Sequence, residues 1–181
     1  MDLVQGIKKR RSVRKFSETP VPREILREII ETASWAPSWK NTQTVRYIVV
    51  DSREVLKKIA SEDCMMGFTH NVDIVAQAPA LVILASVKGR SGYERNGSFS
   101  TAKGSHWESF DAGIAAQTFC LAACEKGLGT VIMGIFDENK IREIIEIPED
   151  QQISALISIG YPAEEPKTPP RKNAEDLLTF I

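Results

Sequence analysis

Three guanidinium groups and a hydroxyl fall within five residues at Arg10, Arg11, Ser12 and Arg14. Guanidinium forks match phosphate oxygens two bonds at a time, and a hydroxyl donor fills a remaining oxygen. The run therefore suits a phosphate clamp. It equally suits a solvated basic patch at a helix C-terminus, where the dipole favours positive charge. Contact with nucleic acid is a third reading, weakened by the overall charge. A second group, Pro37-Ser38-Trp39-Lys40-Asn41-Thr42-Gln43, gathers amides, hydroxyls and an indole suited to hydrogen-bonding the edge of a heteroaromatic ring. Taken alone, it is also an ordinary polar loop.

Other chemistries find no foothold. The only histidines are His70 and His106, and neither has a metal-ligand spacing with a cysteine. Cys120 and Cys124 share a helix face, where such residues usually pack as small core side chains. Gly127-Leu128-Gly129 and Gly134 follow a helix and precede a strand, the reverse of the order a dinucleotide fingerprint requires. No Gly-x-Ser-x-Gly elbow or Walker loop occurs. A bound cofactor would supply the chemistry that these side chains lack.

The bulk numbers narrow the partners. A formal charge of -1 provides no global field to gather nucleic acid or an anionic membrane, so the expected partner is a small molecule. No apolar run approaches a membrane span, and Asp2 and Lys8 to Arg11 stand where a signal peptide needs an apolar core. Three cysteines, odd in number, argue against a secreted disulfide framework. The expectation is a cytoplasmic protein. The 181 residues, 43% hydrophobic and 26% charged, suit one compact domain over 1–181.

Elements of mixed type must position the two polar groups. Asp2 can cap a short helix with Leu3, Val4 and Ile7 on its apolar side. Ser12 to Phe16 reads as extended. Pro20 and Pro22 open a helix with the stripe Ile25, Leu26, Ile29, Ile30 and Ala33, and Pro37 stops it. Arg46 to Asp51 reads as a strand, followed by a helix capped by Ser52. A short helix covers Asn71 to Gln77, and the continuous apolar run Leu81 to Val87 reads as a strand buried on both faces.

Lys88 to Gly104 breaks all periodicity and is long for a connection, as functional or mobile loops are. With Tyr93 and Phe99, it is the candidate substrate-access segment. Ser105 to Glu108 has capping-box spacing for a helix running to Lys126, apolar nearly all round and thus central. Its small residues suit either a core or a helix-to-helix interface. Thr130 to Ile135 and Ile153 to Ile159 read as strands, with an Asp137-capped helix between them. Residues 161–181, rich in proline at the start, read as an extended C-terminal arm.

Taken together, Arg10-Arg11-Ser12-Val13-Arg14-Lys15-Phe16 and Ala36-Pro37-Ser38-Trp39-Lys40-Asn41-Thr42-Gln43 resemble the opening signature of the FMN-dependent nitroreductase family. Asp111-Ala112-Gly113-Ile114-Ala115-Ala116-Gln117, Gly127-Leu128-Gly129-Thr130, Phe136-Asp137-Glu138, Ile147-Pro148-Glu149 and Ile159-Gly160-Tyr161-Pro162 resemble its later landmarks, in order. The resemblance implies an α+β fold: a mostly antiparallel central sheet flanked by helices, in an intertwined homodimer with FMN at the interface. It also implies that Arg10, Arg11, Ser12 and Arg14 hold the flavin phosphate and ribityl chain, completed by Arg171 or Lys172. Pro37, Ser38, Trp39 and Asn41 would come from the partner chain to the ring, Met133 and Gly134 would offer main-chain groups, and Asn71 would bond the pyrimidine edge. Two positions depart from the pattern. Ile74 stands where some relatives carry a lysine, and Thr44-Val45 replaces a common Pro-Trp.

The activity so implied is NADPH or NADH oxidation by ping-pong hydride transfer to a nitroaromatic, quinone or related small acceptor. The chemistry would run on flavin N5 without a side-chain acid or base. Alternatives are a flavin carrier or redox sensor without turnover, and a specialised relative that dehalogenates or degrades flavin. No ribose-recognition motif chooses between the two nicotinamides.

Overall fold

The computed structural model describes residues 2–181. Asp2 accepts hydrogen bonds from the main-chain N–H of Val4 and Gln5 and caps α1, Leu3–Lys9. The apolar side of α1 does not face the core. Leu3, Val4 and Ile7 are all exposed, and only Gly6 is buried. The chain then runs extended beside a later strand. Helix α2, Arg23–Ala33, buries Leu26, Ile29 and Ala33, and ends before Pro37 is reached.

Strand β1, Val45–Val50, leads into α3, Arg53–Ile59, and α4, Thr69–Gln77. Ser52 occupies the cap position of α3, but its side chain makes no capping bond. Strand β2, Ala80–Val87, is followed after the 88–105 segment by α5, His106–Glu125. Then come β3, Gly129–Met133, α6, Glu138–Ile144, capped by the Asp137 carboxylate, and β4, Gln151–Gly160.

The four strands form one antiparallel sheet in the order β1-β2-β4-β3. This is the mostly antiparallel α+β architecture that the sequence leads one to expect. The apolar run of β2 follows from its central place, covered on both faces. Leu81 and Ile83 pack toward α3, α4 and α6, whereas Ala80, Val82 and Leu84 pack toward α2 and α5. Pairing slips between Leu84 and Ala85, so Ser154 of β4 is an extra residue. That bulge puts Ile153 and Leu156 on one face despite their odd separation.

Two expectations for α5 need correction. Ser105 makes no capping bond, and the Glu108 side chain turns instead to the main-chain N–H of Gly89 (2.6 Å) and to Gln152 Nε2 (2.9 Å). The turn before the helix, with N–H groups of 106–108 bonded to carbonyls of 103–105, makes a side-chain cap unnecessary. Nor is α5 buried on every side: Phe110, Gly113 and Gln117 are exposed along one stripe.

Candidate active site

Residues 10–14 leave α1 and run along the edge of the sheet. Ser12 pairs in parallel with Thr130, and the Val13 N–H donates to the Thr130 carbonyl at 2.9 Å. Gly129 permits this approach, since a β-carbon there would collide with the Val13 side chain. Val13 therefore points into the core, while its neighbours Ser12 and Arg14 do not. From α4, Gln77 Nε2 donates to the Arg14 carbonyl at 3.0 Å and fixes the far end of the segment.

The C-terminal arm returns along the same backbone. Ser17 N–H donates to the Tyr161 carbonyl (2.8 Å), and Ala163 N–H to the Lys15 carbonyl (3.0 Å). Arg11 then ties the arm down, donating to Thr168 Oγ1 at 3.0 and 3.2 Å and to the carbonyls of Lys8 and Arg10. The result is a cavity of about 340 Å³ lined by Arg10, Arg11, Ser12, Arg14, Lys167, Pro169 and Arg171. None of these residues is acidic, so nothing in the lining neutralises its cations. Such a cradle selects an anion with several oxygens.

Arg171 thus joins the cluster read from the sequence. Lys172 is exposed and does not line the cavity, whereas Lys167, missed in the sequence, does. Prolines at 166, 169 and 170 set the direction of this extended chain, and no short-range pattern reveals which of its cations turns inward.

At the other end of α4, Asn71 is buried and its Nδ2 donates to the Ile135 carbonyl at 3.1 Å. The amide is thereby held against the chain just beyond Met133 and Gly134, with Oδ1 left to accept. Six residues separate Asn71 from Gln77, a helical rise of about 9 Å. Helix α4 therefore spans from the polar group near Gly134 to the cationic cradle. Ile74, between them, is turned into the core, so no charge reaches the site from that position.

The 37–44 segment is a second, strained unit. Lys40, Asn41 and Gln43 all have left-handed backbone, with φ of 45°, 55° and 48°. Such conformations cost non-glycine residues about 1–3 kcal/mol each and persist only where the surroundings impose them. The imposing group is Asp111, almost fully buried on α5. It accepts from the Trp39 N–H at 3.0 and 3.1 Å and from Ser91 Oγ at 2.7 Å. Ser38 Oγ accepts from the Gln43 N–H at 2.9 Å. Even so, Trp39 Nε1, Thr42 Oγ1 and Thr44 Oγ1 are buried without a hydrogen-bond partner among the described residues.

Asp111 and Glu108 anchor the 88–104 segment as well, and neither was singled out as a site residue from the sequence. The available signal was two carboxylates three residues apart in an otherwise apolar helix. The segment they hold is a small hairpin. Glu94 N–H bonds the Ser98 carbonyl, Ser100 N–H bonds the Gly92 carbonyl, and Tyr93 packs on Phe99 with centroids 4.9 Å apart. Gly92, at φ 85°, has no room for a β-carbon, which would lie 2.5 Å from the Gly104 carbonyl oxygen. Glu94 bonds Lys40 Nζ (2.9 Å) and Ser100 Oγ (2.5 Å), and these partners hold its carboxyl below the ordinary carboxylate range.

No acid–base residue stands out. Burial pushes the Tyr47 phenol up to about 12, and burial likewise raises the Cys120 thiol, so both stay protonated near neutrality. No cluster of three or more potential metal ligands occurs among the described residues.

The chain that carries this cationic cradle, the buried Asn71 and the strained polar loop matches the Nitroreductase family over residues 7–161. It belongs to the nitroreductase family. A putative NADH dehydrogenase/NAD(P)H nitroreductase of Methanothermobacter thermautotrophicus is 34% identical over 93% of this chain and 81% of its own length. A nitroreductase family protein of Clostridium novyi NT has the same fold, with a TM-score of 0.78 and 31% identity over 93% of this chain and 89% of that one. An FMN-dependent nitroreductase of Clostridium difficile superposes with a TM-score of 0.73 and 31% identity, covering 96% and 94% of the two chains.

Proposed function

We propose that the protein is an FMN-dependent NAD(P)H oxidoreductase that reduces small organic acceptors such as nitroaromatics or quinones, acting as a homodimer. The single observation that carries this is the acid-free cradle of Arg10, Ser12, Arg14, Lys167 and Arg171, set one helix-length from Asn71. That spacing suits an elongated ligand with a phosphate at one end and a hydrogen-bonding ring at the other. The names of the nitroreductase and FMN-dependent relatives support the same ligand.

Bound FMN supplies hydride acceptance and donation that no side chain here can perform. The chain's own part is binding and orientation. Arg10, Arg14, Lys167 and Arg171 would hold the phosphate by charge-assisted hydrogen bonds, and Arg11 would keep the arm in place through Thr168. Asn71 would offer its free acceptor to a ring N–H, beside the main chain of Met133 and Gly134. Ser38, Trp39 and Asn41 would be presented to the ring of the partner's cofactor by the strained loop, and residues 88–104 would border the approach of donor and acceptor. Dimerisation is supported by apolar side chains this chain leaves open: Leu3, Val4 and Ile7 on α1, and Leu177, Leu178, Phe180 and Ile181 on the arm.

The test is the visible spectrum of the purified protein, followed anaerobically. Flavin absorbance that bleaches with NADPH or NADH and returns with a nitroaromatic or quinone is the expected result, with Arg14→Ala deficient in flavin. Bleaching without return of colour for any acceptor would leave a carrier or sensor. A protein that takes up no FMN would overturn the reading.

A further inference from the structure

From the side chains around the strained loop we infer a substrate class: the acceptor subsite selects planar aromatic molecules that carry an anionic group. The placement of this subsite beside the cofactor rests on the flavoenzyme reading above; the recognition chemistry does not. Trp39 and Trp107 lie with centroids 4.5 Å apart and tilted by 46°, and Phe110 meets Trp107 edge-on at 5.4 Å. Lys103 Nζ sits over the middle ring, 4.8 Å from Trp107, and over Phe110 at 4.9 Å. Phe110 is half exposed, so the shelf is open to a further ring. Its members come from three places, the 37–44 loop, the end of the hairpin segment and the first turns of α5, locked together by Asp111 and by Trp107 Nε1 donating to Thr101 Oγ1 at 2.9 Å.

The charges of the segment that carries Lys103 are sorted by sign. Between residues 88 and 107 the cations are Lys88, Arg90, Arg95 and Lys103, and all four are exposed. No salt bridge or side-chain hydrogen bond engages any of the four among the described residues. The one carboxylate in that stretch is Glu94, already engaged by Lys40 and Ser100. The next two, Glu108 and Asp111, are only 4% and 2% exposed and spend their oxygens on main-chain N–H groups, Ser91 and Gln152. In a chain of net charge -1, this segment carries four cations without a salt bridge among the described residues, and one of them, Lys103, lies on the aromatic face. An aromatic anion satisfies both features at once: ring on ring, with its carboxylate or phenolate toward Lys103.

The experiment compares 4-nitrobenzoate with the neutral 4-nitrobenzyl alcohol on the full-length protein and on Lys103→Met, whose length and apolar stem are retained. Calorimetric titration reads binding, and steady-state reduction by the FMN-loaded protein reads kcat/KM. Wild type is expected to favour the anion about fivefold in both, the upper range for an exposed charge pair, with the preference declining as salt is raised. Lys103→Met is expected to remove the preference without changing flavin content or the Tm. Equal binding of the two compounds, or a preference untouched by Lys103→Met, would overturn the inference. A Lys103→Met effect confined to the KM for NADPH, absent for NADH and for both nitro compounds, would also overturn it, assigning the cations to the donor's phosphate. Calorimetry separates the two proposals. Anion-selective, Lys103-dependent binding by a protein that takes up no flavin would sustain the recognition site and sink the flavoenzyme reading.

Discussion

Segment 10–14 and segment 37–44 are both short, polar and rich in functional groups, yet they are built differently. The first lies along the sheet edge with ordinary extended backbone, its main chain bonded to Thr130 and to the Gln77 side chain and its free guanidinium groups facing one cavity. The second has three left-handed residues and three buried polar atoms without partners, and a buried carboxylate more than seventy residues away holds it in place. The difference is that between a relaxed segment and a strained one. The cationic cradle closes with its main chain satisfied, whereas the loop keeps left-handed residues and buried polar atoms without a partner among the described residues.

The cradle gives the largest effect. Arg10→Ala with Arg171→Ala removes two charge-assisted contacts, each worth about 1.5–3 kcal/mol, so flavin affinity should fall at least about a hundredfold. Lys172→Ala should change it less than about twofold, within the scatter of exposed charges. Fluorescence titration with FMN measures both, and equal losses from the two variants would show that the arm lies differently. Breaking the loop should act on another property. Asp111→Ala strands the Trp39 N–H and the Ser91 hydroxyl, so a Tm loss matching about 3 kcal/mol is expected, with reduced turnover but flavin affinity altered less than by the arginine pair. Asp111→Asn, which keeps an acceptor, should recover much of the stability.

The smallest effect is a pH dependence. The Glu94 carboxyl is held below its ordinary 4.5 by Ser100 and then by Lys40, so its contribution is present above that value and lost as pH falls through the lowered folded value. Tryptophan fluorescence followed from pH 7 downward should change only on the acid side of 4.5 as Lys40 is released beside Trp39. Glu94→Gln should abolish that transition.

Much of the scaffold was readable because it is locally determined. Asp2 and Asp137 cap the helices they precede, and the apolar run from Leu81 marks the central strand. The arginine run was visible as a cluster because its members are sequence neighbours. What stayed hidden depends on distant partners. Nothing near Ser105 shows that Glu108 will turn to Gly89 instead of capping, and nothing near Trp39 names Asp111 as its acceptor. The choice of Lys167 over Lys172 likewise depends on where the proline-rich arm crosses the sheet edge. Leu3, Val4 and Ile7 show a related limit: their spacing marks the apolar side of α1, but not that this side is exposed in the folded chain.

Helix α4 fixes Asn71 against Ile135 at one end and Gln77 against the Arg14 carbonyl at the other. The spacing between these two anchors is thereby recorded as a residue count. Most surface side chains along this helix can drift without altering that measure, but one inserted residue would swing Gln77 round by about 100° and break the gauge. Descendants of this sequence are therefore free to change the spelling of α4 and constrained to keep its number of letters.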